Sequence, residues 1–305
     1  MIKSSIIILM IGISSMQGFA QTEKSNQDVQ AVSLKGTEIR TVHSNIVGED
    51  YELWISLPNS YQKSDKVYPV IFLLDPFRSF SIVKGYTDVL TTPFPLIPEL
   101  IIVGIGYGGK GDEELLNWAL GRTRDLTPVE DSLTGAGLKK QIANIAGVDV
   151  EVHTGGAELF LGFIEEELFP FIEANYRIDT NHRILSGYSF GGLFALYALF
   201  HNPGLFKGYL CGSPSIHYKD EITFTYESDY AKNHTDLNAD VFISAGELEK
   251  TTSANIRKME ELLRSRNYKN LELETVVFED EDHYSCAPAA ISRGINELLG
   301  KEDNQ

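Results

Sequence analysis

The sequence predicts an α/β fold with a mostly parallel central sheet, an antiparallel N-terminal edge and helices on both faces. Three observations predict it. The runs 68–74 (YPVIFLL) and 100–105 (LIIVGI) are almost continuously apolar and rich in β-branched residues, the pattern of strands buried on both sides of a parallel sheet. From residue 158 onward, short apolar strand patterns alternate with stretches of helical periodicity, which implies right-handed crossovers between parallel strands. Before both, two strand-like segments flank a short turn signal and read as a hairpin at one sheet edge.

Taken in order, 37–45 and 51–57 are the hairpin strands, with Gly48-Glu49-Asp50 as the turn between them. The two apolar runs follow and belong to the middle of the sheet. Residues 158–174 have helical periodicity, 183–187 is a short strand and 192–200 an apolar helix. Strand 208–212, strand 241–245, helix 253–266, strand 271–278 and helix 287–299 complete the alternation. Two stretches fit it poorly, 107–155 and 213–240. Long excursions from strand ends usually carry function, so both are expected to shape a substrate pocket.

At 305 residues, the chain is long enough to bury one sizeable core, and a single domain over 37–300 is expected. The formal charge of -17 argues against a nucleic-acid partner, because binding to phosphate backbones rests on clustered Lys and Arg. The N-terminus has the outline of a signal peptide over 1–20, with Lys3, an apolar stretch over 6–13 and Gly18-Phe19-Ala20 before Gln21. A flexible lead over 21–36 follows. Nothing later approaches 18 consecutive apolar residues, so no membrane association is expected after signal removal, and the mature protein is expected in the periplasm or outside the cell. No protein partner is indicated. An oxidising compartment would permit a disulfide between Cys211 and Cys286, which a chain this long does not need.

The strongest local signal is Gly187-Tyr188-Ser189-Phe190-Gly191, placed between a predicted strand and a predicted helix. A serine there sits on a strained turn that lifts its hydroxyl above the sheet, and its flanking glycines relieve crowding. A serine hydroxyl is a weak nucleophile until a base takes its proton. Of seven histidines, only His283 lies in a loop after the final strand and before the final helix, where such a base belongs. A carboxylate at the end of the preceding strand would orient the imidazole. Glu249 is favoured over Glu247; capping the next helix is the structural alternative for either, and Asp280 and Asp282 are outside candidates. The oxyanion needs two backbone N–H groups, one from Phe190 and one from the loop 74–78. Pro76 has no N–H, so Phe77 is the candidate, with Arg78 next.

With these residues in hand, the chain resembles the Putative esterase family of α/β-hydrolases, the group of esterase D, feruloyl esterases and enterochelin-type siderophore esterases. The resemblance runs from about Thr37 to Leu299. It rests on Tyr68-Pro69-Val70, on Arg122-Thr123-Arg124-Asp125-Leu126-Thr127-Pro128, on Phe169-Pro170-Phe171-Ile172-Glu173, on the run 183–192 (RILSGYSFGG), on Ser213-Pro214-Ser215 and on Asp282-His283. It implies the α/β-hydrolase fold and carboxylic ester hydrolysis through an acyl-enzyme, with no metal or organic cofactor. Many relatives carry His-Gly where this chain has Asp75-Pro76, and the acid is more often Asp; some siderophore esterases resemble a Ser-His dyad. Tyr188, Arg122 and His217 are candidate substrate contacts, Arg122 having a buried ion pair as its equal alternative and His217 forming an aromatic wall with Tyr218. The substrate is expected to be a siderophore lactone or an acyl or feruloyl carbohydrate ester, and the competing reading is a catalytically silent ligand-binding hydrolase fold.

Overall fold

The computed structural model describes residues 32–93 and 95–300; the expected leader, and residues 21–31 of the lead, lie outside them. Eight strands form one sheet in the order β1-β2-β4-β3-β5-β6-β7-β8. They are β1 (Thr37–Ser44), β2 (Glu49–Ser56), β3 (Tyr68–Leu74), β4 (Ile101–Gly106), β5 (Ile178–Tyr188), β6 (Gly208–Gly212), β7 (Asp236–Gly246) and β8 (Lys269–Phe278). β2 pairs antiparallel with β1 and with β4, and every other pairing is parallel. The hairpin turn lies earlier than Gly48-Glu49-Asp50. Gly48, at φ +81°, donates its N–H to the Ser44 carbonyl at 2.9 Å and closes the turn, so Glu49 and Asp50 already pair with Ser44 and His43.

Alternating side chains of the central strands feed two cores, which is why their sequences show no polar face. Val70, Phe72 and Leu74 of β3 join the larger core, with helices α4 (Ala157–Phe163), α6 (Phe190–His201) and α8 (Lys250–Arg266). Ile71 and Leu73 point to the other face and meet α1 (Pro76–Thr91) and α9 (Ala287–Leu299). No described helix is long and apolar enough to cross a membrane.

Several helices go beyond the sequence reading. The loop expected at 74–78 is instead the start of α1, because Asp75 takes the N-cap position and Pro76 opens the first turn with a φ already suited to helix. The stretch 107–155 is largely helical, as α2 (Asp112–Asp125) and α3 (Ser132–Ala146), and 213–240 contains α7 (Tyr218–Ala231). Weak amphipathicity hid these helices. The single helix expected over 158–174 is α4 and α5 (Phe169–Asn175) joined by a π-helical turn over 164–168. Pro170, which has no N–H to donate, is the second residue after that turn.

The tightest junction lies between β5 and α6. A Cβ on Gly187 would come within 2.2 Å of the Gly191 carbonyl oxygen, and one on Gly192 within 2.9 Å of the Gly212 carbonyl oxygen. A Cβ on Gly191 would meet nothing closer than 3.5 Å, an ordinary contact, so this flanking glycine is not required by crowding. Gly187→Ala is therefore expected to lower the melting temperature sharply or prevent folding, whereas Gly191→Ala, inside a helix, should shift stability by no more than about 1 kcal/mol. Thermal denaturation of the two variants checks the contrast.

Candidate active site

Ser189 is the N-cap of α6, held at φ 60° and ψ −114°, a conformation few residues other than glycine adopt. Its backbone is fixed on both sides. The Ser189 N–H donates to the Gly212 carbonyl at 2.9 Å, and its own carbonyl accepts from Leu193 and Ser215 N–H groups at 3.0 and 3.2 Å. Its hydroxyl lies 3.4 Å from the Ser215 hydroxyl. Ser189 and His283 line the same cavity of about 220 Å3.

His283 lies in the turn between β8 and α9. Asp282 shapes this turn by accepting the Tyr284 and Ser285 N–H groups at 2.8 and 2.9 Å, which turns its carboxylate to its own backbone. Tyr188, next to the serine, donates its phenol to the His283 carbonyl at 2.7 Å and so ties the loop to the end of β5. The imidazole Nδ1 lies 2.6 Å from Glu249 Oε2. The other oxygen, Oε1, accepts the Ser213 hydroxyl at 2.7 Å and the Gly246 N–H at 3.0 Å. Glu247 instead accepts the Asp280 N–H at 3.3 Å and reaches the surface. Burial works against the charged form of Glu249, but the bonds from His283, Ser213 and Gly246 outweigh it and hold the carboxyl below its usual range.

The two N–H groups expected to meet an oxyanion, those of Phe190 and Phe77, each lie in the first turn of a helix and are unpaired among the described residues. The Arg78 N–H is already taken by the Asp75 carbonyl at 3.0 Å. The start of α1 is locked by the Asp75 carboxylate, which accepts Trp118 Nε1 at 2.7 Å and the Arg122 guanidinium at 2.9 and 3.1 Å.

Of the three candidate substrate contacts, two are engaged elsewhere and one lies outside the cavity. Arg122, with 14% of its side chain exposed, reaches the cavity wall but is bound in both prongs to Asp75. The Tyr188 phenol is shared among the His283 carbonyl, Ser213 and Cys286. His217 is exposed at the N-cap of α7 and does not line the cavity, because Tyr218 beside it turns inward against Phe190 and donates to the Val129 carbonyl. Trp118 is a wall residue the sequence reading did not name, since 107–155 had no assigned helix to give it a face. Cys211 and Cys286 are buried free thiols. Among the described residues no His, Cys, Asp and Glu are grouped to hold a metal ion.

Removing Arg122 would leave Asp75 buried and uncompensated. Arg122→Ala is expected to cost about 3–5 kcal/mol of stability, and Asp75→Asn with Arg122 intact should also destabilise. A chemical denaturation series on both variants measures it.

A sequence model of the family described as Putative esterase matches residues 139–290, a span that includes Ser189, Glu249 and His283. The chain is 32% identical over 294 residues to the Ferri-bacillibactin esterase BesA of Bacillus subtilis, covering 91% of this chain and 95% of that protein. It is 29% identical over 281 residues to a Siderophore triacetylfusarinine C esterase of Aspergillus fumigatus, covering 81% of this chain and 88% of that one. Among solved structures it is similar to the BES protein from Bacillus cereus, with a TM-score of 0.72 and 30% identity over 89% of this chain and 98% of that one. With a relative this similar over nearly its whole length and the α/β-hydrolase sheet already described, the chain belongs to the Putative esterase family of α/β-hydrolases and is a carboxylic ester hydrolase.

Proposed function

We propose that the chain is an exported serine esterase acting on small anionic esters of the siderophore class, with Ser189 as nucleophile, His283 as general base and Glu249 as the carboxylate that orients it. The observation that carries the reading is the 2.6 Å bond between His283 Nδ1 and Glu249, in a loop whose imidazole shares a cavity with the strained serine. With Nδ1 committed to the carboxylate, Nε2 is the nitrogen left to take the Ser189 proton. The Phe190 and Phe77 N–H groups would receive the charge that develops on the carbonyl oxygen. His283 then protonates the departing alcohol and activates water to release the acyl group.

Two observations support an anionic substrate. The similar proteins are named for siderophore esters. On the cavity wall, the Arg122 charge is neutralised by Asp75, whereas the exposed Arg78 guanidinium makes no ion pair or hydrogen bond among the described residues and lies 4.8 Å from the Trp118 ring centre. In a chain of net charge -17, a free cation beside the reacting serine favours a substrate with negative charge over a neutral carbohydrate ester. The basic start, short apolar stretch and small residues before Gln21 support export, with a leader over 1–20, a lead over 21–36 and one catalytic domain over 37–300.

Hydrolysis of p-nitrophenyl acetate is expected to fall roughly 10⁴-fold or more in Ser189→Ala and about 10²- to 10⁴-fold in Glu249→Gln; a fall below about threefold in the second would make the pair a dyad. Because the folded-state pKa of Glu249 is lowered, its charge adds stability that is complete above the ordinary glutamate range and is lost as pH falls through the lowered value. The melting-temperature gap between wild type and Glu249→Gln should thus be widest near about pH 7 and close toward about pH 3. Arg78→Glu should lower kcat/KM for 4-acetoxybenzoate, which carries its carboxylate on the alcohol side, roughly tenfold more than for p-nitrophenyl acetate, and added salt should shrink that difference.

A further inference from the structure

The cavity that holds Ser189 and His283 has two unlike walls. Toward solvent it is bounded by Arg78, Trp118 and the 82% exposed Tyr284. Inward it runs between α1 and α9 against the face of the sheet, where Leu73 of β3, Leu210 of β6, Ile82 of α1, and Ala287 and Ile291 of α9 line it. Leu73, Leu210 and Ile291 are each less than 5% exposed and belong to the core on that face, so the inner end is closed and apolar. Further along the two helices, Asn296 donates to the Tyr86 phenol at 2.8 Å and ties them together. An apolar cavity of roughly 150 Å3 suffices for a six-carbon ring. The whole cavity, outer part included, measures about 220 Å3, and Ser189 is one of its lining residues.

We propose that this slot binds the acyl portion of the ester as an unbranched aliphatic chain of up to about six carbons, giving the enzyme an activity on short-chain acyl esters. The proposal rests on Ser189 as nucleophile. Ser189 Oγ bonds to the carbonyl carbon while the ester C–O bond breaks, and the serine proton passes through His283 to the leaving alcohol. The acyl group stays on the serine until water adds and returns serine and a carboxylic acid. Only the acyl part remains bound through both steps, so only it can occupy a blind slot; the alcohol must leave past Arg78 and Trp118 to solvent. The inner wall is mostly aliphatic, broken by the buried side chains of Ser79 and Ser186, the latter between Leu73 and Leu210, whereas the aromatic rings of Trp118 and Tyr284 stand on the outer side.

The test is a chain-length series of p-nitrophenyl esters from acetate to decanoate. Wild-type kcat/KM should rise about fourfold for each methylene buried, peak near hexanoate and fall at octanoate and decanoate. Ile82 is half-buried on α1, so its replacement leaves both cores in place. Ile82→Trp should move the optimum to shorter chains and Ile82→Ala to longer ones. A flat series, or an optimum that neither substitution moves, overturns the slot. A second measurement does not depend on turnover: the Ser189→Ala protein should bind methyl hexanoate at least tenfold more tightly than methyl acetate in isothermal titration, and Ile82→Trp in that background should remove the difference. If the wild type hydrolyses no ester, the serine mechanism falls, and this titration alone decides the slot; equal binding of the two esters overturns it.

Discussion

The backbone of Ser189 is forced into a positive-φ turn at the point where β5 ends and α6 begins. An isolated strained residue of this kind costs on the order of 1–3 kcal/mol, so the surroundings must over-determine it. They do so from three directions. Gly187 and Gly192 let the strand, the helix and the end of β6 approach within distances that no Cβ would permit. Backbone bonds from Ser189 to Gly212 and from Ser215 to Ser189 lock the turn to the next strand, and the buried α6, apolar on every side, fixes the helix that follows. The turn is thus set by the core, and the serine hydroxyl is presented at a position that the loops do not need to define.

Two buried carboxylates then divide the remaining work. Asp75 gives both oxygens to Arg122 and Trp118 and thereby fixes where α1 starts, which sets the Phe77 N–H. Glu249 gives one oxygen to Ser213 and Gly246 and the other to His283, so the imidazole has one orientation. In each case a buried charge is tolerated because all of its strong acceptor sites are filled. Tyr188 couples the two halves, since it adjoins the serine in sequence and donates to the carbonyl of the histidine.

On one side of the cavity lie aromatic rings and the Arg78 guanidinium, which has no ion pair among the described residues, and on the other a mostly aliphatic wall. Ser189, Glu249 and His283 follow β5, β7 and β8, at the C-terminal ends of parallel strands, where an open α/β sheet leaves room for a ligand.

The sequence by itself determined the central strands, the strand-turn-helix at Ser189, the loop place of His283 and the strand-end place of Glu247 and Glu249, because each has a local signature: continuous apolar runs, paired glycines, and position relative to the last strands; which of the two glutamates meets His283 was decided by the fold. It determined less about α1, α2, α3 and α7, whose faces are too weakly patterned to show a helical period. Only the tertiary structure decided the partners. Arg122 was equally suited to a substrate anion or to an ion pair until α1 and α2 brought it against Asp75, 47 residues away. His217 was a plausible wall residue until the inward turn of Tyr218 left it in solvent. Trp118, the bond from Ser213 to Glu249 and the inner end of the cavity became part of the site only when distant strands and helices met, since pairwise contacts across long sequence separations leave no periodic trace in the chain.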